Sequence, residues 1–398
     1  MIKTKKIKEP LFHISKRSDI EPWKAWCIRI GSGLLALLVG AILTGALTGH
    51  FFGFFEQLIK GSFGSVTRFE KLIKNTVILL GIALALAPAF KMKFWNIGAE
   101  GQVLIGALVT AGLMFNIKDS IPQPALIIIM FACSVMAGAI WALIPAIFKA
   151  FFNTNETLFT LMMNYIAIKL TAYFINIWAT NGSGTMGIIP YGQLPKLFGS
   201  QYLINILVVI VLTVIVYMYL KYSKHGYELS VVGESLNTAK YVGINVKKVI
   251  IRTMIFSGVI CGIVGFLLVS GDSYTITQNL VNGRGFTAIL VAWLSQFNPL
   301  AMVLTSFLVC FLEQTGSQLV MAYNMGADAY SSILTGIFFL FIIGSTFFIN
   351  YKVVINKKHK NIKVEESADE SKDESLSTLE ESSKEEVVLD GPKTEVAE

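Results

Sequence analysis

The chain carries ten apolar stretches, several close to the length needed to cross a bilayer, separated by short polar or basic connectors. The stretches are approximately 30–49, 76–90, 101–117, 124–148, 157–178, 203–220, 249–269, 286–297, 299–312 and 329–349. A hydrocarbon slab of ~30 Å needs about 20 apolar residues in helical form. Lipid offers no partner for a free backbone N–H or C=O, so such segments must be helices. The fold class is therefore all-α, a polytopic membrane protein of about ten transmembrane helices. Only 15% of the 398 residues are charged, against 54% AVILMFWYC, which excludes an ordinary soluble enzyme and a disulfide scaffold. The second, eighth and ninth stretches read as short, and short or broken segments mark backbone that lines an internal cavity.

Charge divides the chain. Residues 364–398 hold 13 acidic residues and three lysines, a net of −10, which leaves +17 on the rest. The division gives a basic N-terminus over 1–29, a transmembrane domain over 30–351 and a tail over 352–398. The tail has too little apolar content to fold and is expected to be disordered from about 364. The basic excess lacks the interleaved aromatics of a nucleic-acid site, so no nucleic acid is expected. Lysines cluster in the N-terminus, in the 221–248 loop (Lys221, Lys224, Lys240, Lys247 and Lys248) and after the last stretch (Lys352, Lys357, Lys358, Lys360 and Lys363). The positive-inside rule puts all three in the cytoplasm of a multi-pass plasma-membrane protein, which an even span count permits. Residues 50–75 fit less well, being external by count yet basic. Phe51, Phe52, Phe54, Phe55, Leu58 and Ile59 suggest an interfacial helix there.

There is no GxxxxGK[ST], GxSxG or HExxH, and none of the four cysteines forms a CxxC. These absences predict no nucleotide hydrolysis in this chain, no metal and no cofactor. Three blocks carry polar groups into or between apolar runs. Asn96-Ile97-Gly98-Ala99-Glu100-Gly101-Gln102 puts an acid and two amides at a break, where Glu100 either meets a solute or starts a helix. Asn155-Glu156-Thr157 suits a helix start, and Asn164 and Tyr165 follow inside the span, able to contact a polar solute or a neighbouring helix. Lys169, near mid-span, either reaches a water-filled cavity or pairs internally with Glu313 or Glu100. In the 221–248 loop, 235–241 suits a short helix and Gly243 its C-terminal stop.

Taken in order, NIGAEGQ, NExxxTLMMNYIA and GYELxxVGES-N-TAKYxGI resemble the integral-membrane permeases of ABC importers, within the branched-chain amino acid, ribose and nucleoside group and nearest its nucleoside type. The resemblance spans roughly 76–349. It implies that Gly233, Asn237, Ala239, Tyr241, Gly243 and Ile244 belong to a coupling helix that docks on an ATPase subunit. It also implies a second homologous permease, an extracellular lipid-anchored binding protein and a nucleoside as substrate. Asn96, Glu100, Gln102, Asn164 and Tyr165 are the expected substrate-pathway residues. Ser230 and Lys240 depart from the family pattern. A permease for a sugar or another small polar solute, an ion-coupled secondary transporter using Glu100, Lys169 and Glu313, and a membrane scaffold remain alternatives.

Overall fold

A computed structural model describes residues 6–7, 12–17, 21–117, 120–179, 185–197, 199–324, 329–355 and 362–363. The acidic tail from 364, together with Lys357, Lys358 and Lys360, lies outside the described residues. The chain divides into two compact units, residues 29–345 and a smaller one made from both chain ends. In the smaller unit β1 (Lys6–Ile7) pairs antiparallel with β4 (Ile362–Lys363), and β2 (Phe12–Lys16) with β3 (Tyr351–Ile355). These strands lie where basic, non-periodic sequence gave no strand signal.

Helices make the rest. They are α1 (Pro22–Thr48), α2 (Gly53–Phe63), α3 (Val66–Lys91), α4 (Ala99–Ile117), α5 (Gln123–Phe152), α6 (Glu156–Trp178) and α7 (Leu203–Tyr222). They continue with α8 (Lys224–Glu234), α9 (Leu236–Tyr241), α10 (Val246–Leu268), α11 (Arg284–Leu294), α12 (Pro299–Ala322) and α13 (Ala329–Asn350). Among the described residues nine helices are long and apolar enough to cross a membrane, and α11 is a shorter apolar one.

Two segments expected to be short are full spans. The second runs 26 residues as α3 and the ninth 24 as α12. Polar residues broke their apolar runs without breaking the helices, and the interior supplies partners for some of them. Gln314 Nε2 in α12, for instance, donates to the carbonyls of Gly61 and Arg68 at 3.0 and 2.8 Å. The Phe-rich stretch forms α2, with Phe54 buried beside Leu319, Tyr330 and Leu334.

The centre is built on α3, α4, α5 and α10. Helices α5 and α10 approach backbone to backbone: a Cβ on Gly258 would strike the Gly138 carbonyl, and one on Gly262 the Ser134 carbonyl. Ser134 Oγ, placed between the helices, donates to the Gly262 and Gly106 carbonyls at 2.7 and 3.0 Å. Small residues let membrane helices gain dispersion contact where no hydrophobic force distinguishes protein from lipid.

Two breaks set up the site. After Lys91 the chain reverses: Lys93 takes a positive φ, and Phe94 N–H returns to the Ala89 carbonyl. Residues 94–98 then run back along the protein before α4 begins. Asn96 meets Ser257, eleven residues into α10, and Gly101 meets Asn164, eight residues into α6. At 1.5 Å per residue α4 therefore starts about 12–16 Å inside the slab.

The second break follows a π turn, Val269–Ser273. Ser270 Oγ donates to the Gly192 carbonyl and Thr275 Oγ1 to the Met186 carbonyl, both at 2.5 Å. Residues 274–283 then descend without helix to α11, which starts beside Glu100. Gln296, Phe297 and Asn298 at its far end line a pocket of about 370 Å³ together with Lys91 and Lys221, from the ends of α3 and α7. The eighth segment is thus composite, half a limb of bends and turns and half helix, beside the nine long helices among the described residues.

Candidate functional site

Glu100 stands where the two breaks meet. It is the second residue of α4, and its carboxylate reaches the start of α11. Oε1 accepts from Gly283 N–H at 2.8 Å and Oε2 from Gly285 N–H at 2.7 Å. One buried acid thereby serves the positive dipole ends of two helices that both begin inside the slab. Gly285 makes this possible, since a Cβ there would lie 2.7 Å from both Glu100 N and Oε2. Arg284 bonds Asn75 Oδ1 at 2.9 Å, and its charge also acts on Glu100 and Glu313.

Asn164 holds the same junction from α6. Its Oδ1 accepts from Gly101 N–H and its Nδ2 donates to the Ile97 carbonyl, both at 2.8 Å. Asn96 and Gln102 lie behind it, fully buried. Asn96 Oδ1 accepts from Gly98 N–H at 3.0 Å and from Gln102 Nε2 at 3.4 Å, while its Nδ2 reaches Ser257 Oγ at 3.4 Å. These amides replace the bonds that an unwound strand of membrane backbone would otherwise lack.

A recess of about 320 Å³ opens in front of the junction. Glu100, Asn164 and Tyr165 line it together with Gln278, Asn279, Asn282 and Phe286. Of the five pathway residues expected from the sequence, the structure brings these three to the recess. Asn96 and Gln102 brace its back wall without reaching it. Sequence reading missed Gln278, Asn279 and Asn282. The signal was present as three amides within five positions between two apolar segments, but nothing local showed that this limb descends into the slab.

Lys169 does not pair with Glu100 or Glu313. It lies five residues from Asn164, about 140° around α6, and its side chain is exposed. Two backbone amides already occupy the Glu100 carboxylate.

At the far end of α7 the chain forms the two-helix loop. Ser223 caps α8, its Oγ accepting from Gly226 N–H at 3.0 Å. Ser235 caps α9, accepting from Thr238 N–H at 3.3 Å. The expected short helix is present, and α8 before it was not anticipated. Gly243 ends the unit at φ +81 with open space around it, so backbone conformation, not crowding, calls for glycine there. Gly233 packs α8 on α3, for its Cβ would meet the Lys91 carbonyl. Ala239 is buried and Ile244 N–H donates to its carbonyl at 2.9 Å. Asn237 and Tyr241 point outward, Tyr241 with 92% of its surface exposed beside the exposed Leu236 and Val242. Arg252 in α10 donates to Glu228 at 2.7 Å, which holds the Glu228 carboxyl below its ordinary value.

The chain matches the family described as branched-chain amino acid transport system / permease component over residues 68–343. It is 31% identical over 291 residues to the guanosine ABC transporter permease protein NupP of Bacillus subtilis, covering 69% of this chain and 82% of that one. To the glucose ABC transporter permease protein TsgB13 of Haloferax volcanii it is 27% identical, covering 86% and 93%. To the nucleoside ABC transporter permease protein NupB of Lactococcus lactis it is 27% identical, covering 71% and 82%. No solved structure matches the chain. The matched region contains both membrane breaks and the two-helix loop, and the chain belongs to the branched-chain amino acid transport system permease family of ABC transporters.

Proposed function

We propose that this chain is the membrane permease subunit of an ATP-driven importer for nucleosides. The observation that carries this reading is the recess at the α4–α11 junction. Its amides and the Glu100 carboxylate can exchange hydrogen bonds with ribose hydroxyls and base edges, and Tyr165 and Phe286 offer faces for a flat ring. A neutral solute suits the site, because the junction itself already engages the Glu100 charge. Relatives are named for guanosine or nucleosides, while one that covers 86% of this chain is named for glucose, so glucose is the discriminating competitor.

ATP binding and hydrolysis belong to a separate subunit. The outward Asn237–Tyr241 side of α9 is its docking surface, and Gly233, Ala239, Gly243 and Ile244 fix that surface to the membrane domain. The two-helix loop and both chain ends lie in the cytoplasm, with the 185–197 loop outside, where a lipid-anchored binding protein delivers solute. A second homologous permease completes the pathway.

Uptake of radiolabelled guanosine by membrane vesicles containing the complete transporter tests the reading. Uptake should require ATP on the ATPase side and resist a hundredfold excess of glucose. Uptake driven by an ion gradient without ATP would reject the importer, and full competition by glucose would reassign the substrate. Labelling a Lys240→Cys variant tests orientation. Reaction with an impermeant thiol reagent outside intact cells would invert the assignment.

A further inference from the structure

Lys169 presents a charge in the wrong place for lipid. It sits thirteen residues after Glu156 and nine before Trp178, so about 20 Å and 14 Å from the two ends of α6. A lysine side chain near a helix end can extend its ammonium to the interface, but from this depth it falls short. Several other charged groups set within the helices are engaged. Glu100 accepts two backbone amides, Lys74 pairs with Asp272, and Arg252 with Glu228. Lys169 is exposed and has no hydrogen-bonding or ionic partner among the described residues. A charged side chain at such depth faces water or a protein cavity.

Its neighbours indicate which water. Tyr165, one turn back on α6, lines the recess, and Tyr173, one turn on, is likewise exposed. The three residues at i, i+4 and i+8 form one polar-tipped stripe that leads from the recess toward the Trp178 end of the helix. We propose that Lys169 lines the translocation pathway one turn beyond the recess and acts as its charge filter, admitting neutral solutes and repelling cationic ones. The proposal rests on the importer reading for the identity of the solute, but not for the placement of Lys169 in water. The filter follows from sign alone: an unpaired ammonium in a narrow, partly dehydrated passage raises the barrier for a like charge far more than bulk water would allow.

The test uses the complete transporter in cells, in a background lacking the four native cysteines. A Lys169→Cys variant should react with an anionic, membrane-impermeant methanethiosulfonate at least about tenfold faster than Ile140→Cys on the exposed face of α5, and saturating guanosine should slow the reaction. Reaction no faster than at Ile140 would overturn the placement, whether lipid or the partner permease covers the site. Protection by glucose but not guanosine would keep the placement and reject the nucleoside reading. Protection by neither would put Lys169 outside the pathway and end the proposal. For the filter, Lys169→Glu should raise uptake of a nucleoside bearing a fixed positive charge on its base by about tenfold relative to guanosine, with Lys169→Arg unchanged. An unchanged ratio in the Glu variant would overturn the filter.

Discussion

Glu100 and Gly285 are 185 residues apart in sequence, yet a carboxylate oxygen of the first lies 2.7 Å from the amide nitrogen of the second. That bond, with its twin to Gly283, fastens the only short membrane helix among the described residues to the break before α4. The geometry selects between the two roles open to Glu100. Both oxygens are engaged within the protein, so the acid holds the limb that carries Asn279 and Asn282, and only its edge lines the recess.

Glu100→Gln keeps the shape but leaves one oxygen where the junction uses two. The loss should be about 1.5–3 kcal/mol, the range for a bond to a charged group. Guanosine uptake should fall about tenfold or more, with a lower yield of assembled transporter. Gly285→Ala disturbs the same bond from the other side, and the double variant should be scarcely worse than either single one. Additive losses in purified complex stability would show that the two residues act separately.

Gly243→Val should abolish uptake while membrane levels stay normal, because a β-branched residue at φ +81 is strained. Gly243→Asn should retain much of the activity, since asparagine tolerates the left-handed region. Equal loss in both variants, read by uptake against immunoblotted protein, would point to the open space around the residue and away from the backbone.

Acid should loosen the link between the two-helix loop and α10. The Glu228 carboxyl is held below its ordinary value by Arg252, so its contribution is complete above the usual glutamate range near 4.5 and is lost as pH falls through the lower folded value. Coupled ATP turnover should therefore be insensitive to this pair from pH 5 to 8. Glu228→Gln should lower transport per ATP at all these pH values, and transport per ATP that matched the parent would dismiss the pair as a surface contact.

Asn279→Ala and Gln278→Ala should raise the KM for guanosine severalfold with little change in maximal rate, as expected for groups that bind a solute without fastening the limb. A pure loss of rate would place them in the moving parts instead.

The spans and the short helix α9 of the loop were legible because hydropathy and capping are local, whereas α8 was not anticipated. Ser235, Gly243 and the Asn155 cap each act within a few residues of themselves. The lengths of α3 and α12 were not legible, since the polar groups that interrupt them are satisfied by partners such as Gly61, some 250 positions away. Glu100 could be flagged as an acid at a break, but its partners Gly283 and Gly285 arrive from the other end of the domain. Nothing in α6 alone says that Lys169 faces away from Glu100, beyond the 140° that separates it from Asn164. The short strands at the chain ends pair residues more than 330 positions apart and carry no periodic signature.

The glycine seam between α5 and α10 has a mechanical meaning. With the π turn, α10 continues unbroken for 28 residues, roughly 40 Å. Its first turn follows directly on the two-helix loop, and its last holds the 185–194 stretch through Ser270. Pressed onto α5 without intervening side chains, it has little freedom to bend or slide. A push applied at the two-helix loop is therefore passed along α10 to the 185–194 stretch at its opposite end, as along a push-rod.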